Sequence, residues 1–408
     1  MSGPSVVITG YGAICALGND AAGMHASLRQ GRTGITPLEL PRDLDRLQVN
    51  IAAQVRGFDA ASCLPEKRLP FLDLFAQYAL AACLEAVKQA GLEDADLRSH
   101  RTCVILGTGI GGAVTQDNAF YAFYAERSKR LDPMTIPRLM PNAAASQISM
   151  ELGATGPSFA VCSACASSNH AVAIGLGMIR AGLADRVITG GSEACITPAG
   201  MRSWEILRVL SPVPCSPFSK GRTGMVLGEG AGIVILEREE LAAARGAKVY
   251  ARLAGVGMSS DAGDLLRPDP AGAGAAIKTA LDDAGLPGDA VDYINAHGTG
   301  TVTNDIVETE AVRTILGKRA DHIAMSSTKS SHGHALGGGG GLELVATILA
   351  MQHGFLPPTL NWKGEDPKCD IDCVPNEARE AEIGVALSNS FAFGGLNAVL
   401  CLTHPDYS

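Results

Sequence analysis

Aromatic residues are scarce in this 408-residue chain: Phe, Trp and Tyr together make up 5%, and only 2 of them are Trp. Charge is thin as well. Asp, Glu, Lys and Arg amount to 18%, and 33 basic against 42 acidic side chains leave a formal charge of −9. Without a long basic run, that balance argues against nucleic acid as a partner and lets an acidic partner bind only through a local basic patch. A membrane span is missing too: the most apolar stretch, 337–356, opens as a glycine run and holds Glu343, short of the ~20 apolar residues a crossing needs. The N-terminus enters strand-like Val6-Val7-Ile8 with no charged region ahead of it, so no secretory signal is expected. The 11 cysteines are odd in number and scattered through apolar segments, which favours free thiols in a reducing cytoplasm over a disulfide framework.

What is plentiful is glycine, at 48 residues, within a chain that is 46% apolar. Small and aliphatic residues suit closely packed α/β layers, and a chain this long buries roughly three quarters of its unfolded surface. Short runs rich in Val, Ile and Leu at 5–9, 103–107, 186–190, 232–236, 250–258 and 385–389 read as strands buried on both faces. Helical periodicity marks 76–90, 170–181, 275–284 and 305–316, with Gly91, Gly182, Gly285 and Gly317 as stops. A weak repeat runs through them. Leu84-Glu85-Ala86-Val87-Lys88-Gln89-Ala90-Gly91-Leu92 echoes Ile277-Lys278-Thr279-Ala280-Leu281-Asp282-Asp283-Ala284-Gly285-Leu286, although Ala-rich helices produce such endings by chance. It divides the chain into 1–245 and 246–408, and with no low-complexity linker between them the halves should pack as one unit.

Four segments carry candidate chemistry. In Ser163-Ala164-Cys165-Ala166-Ser167-Ser168, a strand-like Phe159-Ala160-Val161 leads through small residues into a helix starting near Cys165. A cysteine at a helix N-terminus feels free N–H groups and the positive end of the dipole, which lower its pKa and favour the thiolate; small neighbours leave room for an acyl thioester. Alone, the segment fits a buried structural cysteine as well. Cys162 and Cys165 also make a C-x-x-C spacing, but no second pair completes a zinc site. Asn295-Ala296-His297-Gly298-Thr299-Gly300-Thr301 places a histidine on a glycine- and threonine-rich loop after a strand. Ser326-Ser327-Thr328-Lys329-Ser330-Ser331-His332-Gly333-His334 precedes the glycine run, and Asn389-Ser390-Phe391-Ala392-Phe393-Gly394-Gly395 offers backbone N–H groups for close approach. One cysteine with two separate histidine loops suits a reaction in which an acyl group waits on Cys165. Loss of carbon dioxide from a malonyl thioester would form an enolate beside it, with two neutral imidazoles stabilising the charge.

In this order and spacing, and with Val226-Leu227-Gly228-Glu229-Gly230-Ala231-Gly232, the segments resemble the β-ketoacyl-acyl-carrier-protein synthases, elongating type II, along essentially the whole chain. The resemblance implies a thiolase-like fold, a five-layered α-β-α-β-α sandwich of two similar α/β halves. Each half would be thiolase-like, 1–245 carrying the nucleophile and 246–408 both histidines, usually in a homodimer. It implies Cys165 as the acylated nucleophile, His297 and His334 as supports of decarboxylation and condensation, and Lys329 ordering the site with Glu308. The N–H groups of Cys165 and Phe393 become the oxyanion hole. Phe393 gates the acyl pocket with Phe391 beside it, Thr299 and Thr301 hold the phosphopantetheine arm, and Ile110 lines the acyl tunnel. No cofactor or metal is implied. The acidic acyl carrier protein would dock on Arg208, Lys129, Arg130, Lys67 and Arg68, although Lys67 and Arg68 read equally well as ordinary solvated charge. Ala392, Leu396, His332 and the Ser219-Lys220-Gly221-Arg222-Thr223-Gly224-Met225 stretch depart from the usual pattern. Trp204-Glu205-Ile206-Leu207-Arg208-Val209-Leu210 and Gly300-Thr301-Val302-Thr303-Asn304-Asp305 look closer to nodulation-protein-E-like and specialised polyene synthases, leaving a subunit that works with a partner as the alternative.

Two other classes use some of these residues. Gly107-Thr108-Gly109-Ile110-Gly111-Gly112 contains a G-x-G-x-x-G after a strand, but a dinucleotide enzyme wants a helix there and an acid at a strand end about 20 residues on; Asp132 is followed by Pro133. A metal hydrolase on His297, His332, His334 and Glu308 would leave Cys165 and the Phe393 loop without a task. A chain-length-factor subunit would lack the nucleophile, a thiolase would want a second cysteine where Phe393-Gly394-Gly395 stands, and a priming synthase would replace one histidine by asparagine.

Overall fold

The computed structural model describes residues 3–42 and 44–407. Its main sheet is built from β1 (Val6–Cys15), β2 (Thr102–Gly107), β3 (Ser158–Val161), β4 (Arg186–Glu193), β5 (Gly230–Arg238), β6 (Ala251–Ser260), β7 (Tyr293–Asn295), β8 (Ala324–Ser326), β9 (Val385–Ala392) and β10 (Leu396–Thr403). Spatially they run β8-β7-β9-β10-β6-β1-β5-β4-β2-β3. Read outward from the middle, the first five strands lie in the order 1-5-4-2-3, and the second five repeat that permutation. Pairing directions repeat as well: antiparallel for β1·β5, β5·β4, β6·β10 and β10·β9, parallel for β4·β2, β2·β3, β9·β7 and β7·β8. The halves join edge to edge through only Val7↔Arg252 and Ile8↔Ala251.

Parallel neighbours need crossover segments, and helices supply them: α1 (Leu74–Ala90), α2 (Ala113–Tyr124), α3 (Ala143–Leu152), α4 (Ser167–Arg180), α5 (Pro198–Ile206), α6 (Pro270–Ala284), α7 (Val302–Leu316) and α8 (Leu336–His353). α4 packs on β2 and β4 on one side and β10 on the other; α8 packs on β4 and β5 and, opposite, on β9. Both therefore lie between the two halves of the sheet, in a core that includes Val172, Leu176, Leu344, Val345 and Ile348. α1 and α3 cover the outer face of the first half, and α6 and α7 that of the second. The result is the α-β-α-β-α sandwich expected. The echoing segments fall on α1 and α6, which are topological equivalents.

Glycine makes these layers close. A Cβ on Gly10 or Gly12 of β1 would stand 2.2 or 2.1 Å from carbonyl oxygens of α1, and one on Gly257 of β6 would meet α6 at 1.9 Å. Glycines 337–341 open α8, where each costs roughly 1 kcal/mol against alanine. Gly338 and Gly341 are kept because the helix backbone touches the sheet backbone: a Cβ on Gly338 would lie 2.8 Å from the Glu193 nitrogen of β4, and one on Gly232 of β5 would lie 2.2 Å from Gly341. Gly232→Ala, with backbone rather than a movable side chain in its way, is expected to lower stability to chemical denaturant by about 2–3 kcal/mol. An unchanged unfolding midpoint would show that strand and helix part without cost.

Candidate active site

Cys165 sits in a turn after β3, two residues ahead of α4. Ala164 takes a left-handed φ of +50°, unusual for a residue with a side chain. Ser167 fastens the turn: its hydroxyl accepts the Ser163 N–H at 2.9 Å and donates to the Ala164 carbonyl at 2.6 Å. His334 occupies the equivalent place in the second half, two residues ahead of α8. It is stitched to Val226-Leu227-Gly228, its N–H donating to the Val226 carbonyl and its carbonyl accepting the Gly228 N–H. His297 follows β7, and Glu308 of α7 shapes its loop by accepting the N–H groups of His297 and Gly298, both at 2.8 Å, and the Asn389 amide at 3.1 Å. His334 Nε2 lies 3.2 Å from Cys165 Sγ, and the two imidazoles stand 5.4 Å apart at 83°. All three residues are buried, with their nearest ligand atoms within 4.8 Å of one another.

Burial sets the electrostatics. It holds both imidazoles well below their usual range, with Lys329 acting the same way, so both are neutral at pH 7. The thiol corrects the expectation of a readily formed thiolate. Burial pushes Cys165 up to about 11, outweighing Lys329 and the N–H groups of Phe393 and of Cys165 itself, which pull it down. A helix terminus lowers a thiol pKa where solvent or a cation shares the work; here the sulfur is enclosed in an apolar cluster with Ala166, Ile196, Met201, Leu227 and Ala398. A second correction concerns Lys329. Its ammonium pairs with Glu343 of α8, not with Glu308, and both partners are buried. Glu308 is already taken by backbone N–H groups of the His297 loop. Burial also raises Glu343 to about 7, with Lys329 opposing.

Cys165, His297, His334, Thr299, Thr301, Phe391 and Phe393 surround one cavity of about 130 Å³, with Trp204 and Leu265 among the remaining walls. Thr299 and Thr301 share a hydroxyl–hydroxyl hydrogen bond at 2.9 Å. Phe391 is buried beside His297, and Phe393 stacks on Trp204 with ring centres 6.0 Å apart. Ile110 is not among the residues around this cavity: Glu193 accepts its N–H at 3.2 Å, and its side chain is 43% exposed. Arg208 is exposed next to cavity-lining Val209. Lys129, Arg130 and Lys67 are exposed away from the lining residues in sequence, while Arg68 is tied to Glu151 at 2.8 Å.

The rival sites are not assembled. His332 is buried, its ring bonded to the Thr328 hydroxyl at 3.0 Å and the Gly333 carbonyl at 2.8 Å. With Glu308 occupied as well, no four-ligand set forms from His297, His332, His334 and Glu308. The glycine loop does open a helix, α2, but the carboxylate of Glu193 already takes the N–H groups of Gly109 and Ile110, where a pyrophosphate would lie. Glu193, Glu343, Arg222 and Arg267 escaped the sequence reading. Arg222 is buried and holds the entry to α7, bonding the Thr301 and Val302 carbonyls and pairing with Asp305 at 3.3 Å. Nothing in a stretch such as Lys220-Gly221-Arg222 separates a buried arginine from a solvated one.

Comparison with known proteins agrees with this geometry. Residues 4–242 match the family "Beta-ketoacyl synthase, N-terminal domain" and residues 250–363 "Beta-ketoacyl synthase, C-terminal domain". The chain belongs to the β-ketoacyl synthases. Nodulation protein E of a Rhizobium species is 45% identical, over 97% of this chain and 98% of that protein. The 3-oxoacyl-[acyl-carrier-protein] synthase 2 of Synechocystis is 41% identical over 97% of each. Among solved structures, the ishigamide ketosynthase/chain length factor superposes with a TM-score of 0.95 at 35% identity, covering 98% of this chain and 99% of that one. As a β-ketoacyl synthase the protein is a condensing acyltransferase, and its fold is the thiolase-like one. Among the described residues no helix is long and apolar enough to cross a membrane.

Proposed function

We propose that the chain extends an acyl group held on Cys165 by decarboxylative condensation with malonyl-acyl carrier protein, within residues 1–245 and 246–408 as its two thiolase-like halves. The observation that carries this is the contact of His334 Nε2 with Cys165 Sγ at 3.2 Å, with a second neutral imidazole, His297, beside it. First the sulfur attacks the acyl thioester carbonyl of the incoming carrier. The oxyanion meets the N–H groups of Cys165 and Phe393, and the carrier thiol leaves with the proton. Malonyl-carrier then enters along Thr299 and Thr301. Its bond to the carboxylate breaks, carbon dioxide departs, and the enolate oxygen accepts hydrogen bonds from His297 and His334. The enolate carbon attacks the Cys165 thioester, a C–C bond forms, and the C–S bond breaks to return the thiolate, which takes a proton from water to restore the thiol. Every bond change is covered without a cofactor. Lys329 and Glu308 act from behind, and Arg208, with exposed Arg267 at the cavity, gives an acidic carrier a place to dock; Lys129, Arg130, Lys67 and Arg68 would add weaker steering.

We place the protein in the cytoplasm, in keeping with 11 free thiols, and as a homodimer. The dimer reading rests on β3, a sheet edge paired among the described residues only with β2, and on large exposed apolar side chains on β3 and in the segment that leads to it, Phe120, Phe123, Tyr124, Ile136 and Phe159, of the kind that mark interfaces. A related subunit on the same flank is the alternative, suggested by the chain length factor that accompanies the ishigamide ketosynthase. Light scattering that finds a clean monomer would sink the homodimer. The activity itself is tested by mixing the enzyme with octanoyl- and then malonyl-carrier protein and following intact mass. An octanoyl adduct followed by β-ketoacyl-carrier is the expected result. An adduct without elongation would point to the partner-requiring alternative, and no adduct with any acyl donor would overturn the reading.

A further inference from the structure

The turn that brings the Phe393 N–H toward the thiol is bonded at its glycines, so Phe393 itself depends on its ring for placement. It joins β9 to β10 through Phe393, Gly394 and Gly395, with ladder pairing resuming at Ala392↔Leu396. Both glycines adopt left-handed φ, +84° and +67°, conformations they reach easily and leave easily. The turn's glycines are bonded: the Gly394 N–H donates to the Leu265 carbonyl at 2.8 Å, the Gly395 N–H donates to the Ala392 carbonyl at 3.1 Å, and the Gly395 carbonyl accepts the Asp261 N–H at 2.9 Å and the Asn397 amide at 3.4 Å. The Phe393 N–H is near enough to Cys165 to pull its thiol down, and the Phe393 ring gives the residue a second handle. That ring rests on Trp204, centroids 6.0 Å apart and planes 27° from parallel.

Trp204 stands on a braced helix. α5 starts with Pro198, is capped by the Thr197 hydroxyl accepting the Gly200 N–H at 3.1 Å, and is tied down one residue beyond the indole. There the Glu205 carboxylate accepts the N–H groups of Gln48 and Val49, each at 2.7 Å. The stack thus ties a glycine-rich turn of the second half to a braced helix of the first.

We propose that Trp204 is a positioning residue: by stacking on Phe393 it fixes the backbone N–H that meets the oxyanion, and so sets the rate of acyl transfer through Phe393. This rests on the condensing reaction above. An oxyanion donor works only when aimed in advance, and misplacement by about 1 Å can cost around a hundredfold. Alkylation of the same sulfur by iodoacetamide passes through no oxyanion and feels the donor only through its pull on the thiol, which comes after burial and Lys329. The two reactions separate positioning from collapse of the site.

The test is single-turnover transfer from octanoyl-carrier protein, followed by intact mass, beside iodoacetamide alkylation of the same samples. Trp204→Ala should slow acyl transfer about 10- to 100-fold with alkylation no slower than about threefold below wild type. Trp204→Phe, which keeps a ring, should restore transfer to within about threefold. Trp204→Ala combined with Phe393→Ala should be no worse than the worse single variant, since both break one contact. Transfer by Trp204→Ala at the wild-type rate, or loss of both reactions together, would overturn the role. Wild type that takes no acyl group would instead overturn the condensing reading, and this role with it.

Discussion

Cys165→Ala should take up no acyl group from any carrier and make no β-ketoacyl product, while its unfolding curve stays close to that of wild type. The methyl fits the space of the thiol among Ala166, Ile196 and Met201, and the turn is held by Ser167 rather than by the sulfur. Intact mass reads the adduct, and an octanoyl adduct on this variant would move the nucleophile elsewhere. The wild-type thiol has a pH signature as well. With its pKa near 11, the fraction of thiolate rises about tenfold per unit from pH 7 upward, and it is the thiolate that reacts. Alkylation by iodoacetamide should therefore keep climbing to pH 10. A plateau reached by pH 8 would mean that N–H groups and Lys329 outweigh burial.

Lys329→Met should cost about 3–5 kcal/mol of stability, because it leaves Glu343 buried without its counter-charge. The deficit carries a pH sign. The folded Glu343 carboxyl is raised above its ordinary 4.5, to about 7 even with Lys329 beside it, and further once the ammonium is gone. A raised carboxyl lends stability below its unfolded pKa and withdraws it as pH rises through the folded value. The variant should thus approach wild type near pH 4.5 and fall away toward pH 8, measured by urea unfolding at both. Adding Glu343→Leu should recover much of the loss. A deficit that does not change with pH would show that Glu343 is not the cause. Lys329 also acts on Cys165, His297 and His334, so the variant should have a less acidic thiol and more basic imidazoles.

The sequence made the chemistry easier to find than its supports. Cys165, His297 and His334 stood out because each interrupts a strand-to-helix passage with small residues around it, where a core-filling side chain has no reason to be. Most long strands were visible as aliphatic runs, β1, β4, β5 and β9 proving longer than read, whereas β10, 396–403, was missed. β7 and β8, three residues each, are too short to carry a period. α8 was hidden because 337–341 are glycine: the packing that requires them lies on β5, over 100 residues away in the chain. Glu343 was legible only as a blemish in an apolar run, and its pairing with Lys329 depends on how α8 folds back beneath the site. The thiol was misjudged for a related reason, since a sequence displays the helix that follows a cysteine but not the depth at which it is enclosed.

The matched positions of Cys165 and His334, each two residues ahead of a central helix, aim the N-termini of α4 and α8 at a single point. Each terminus carries roughly half a unit of positive charge, so the reaction centre has a cationic field made by peptide groups and not by side chains. Mobile ions do not reach a field set in the middle of a folded chain, whereas they screen Arg208 at the surface. Added salt should therefore weaken capture of the carrier, raising the concentration needed for half-maximal rate, and leave the bond-making steps at saturation almost untouched.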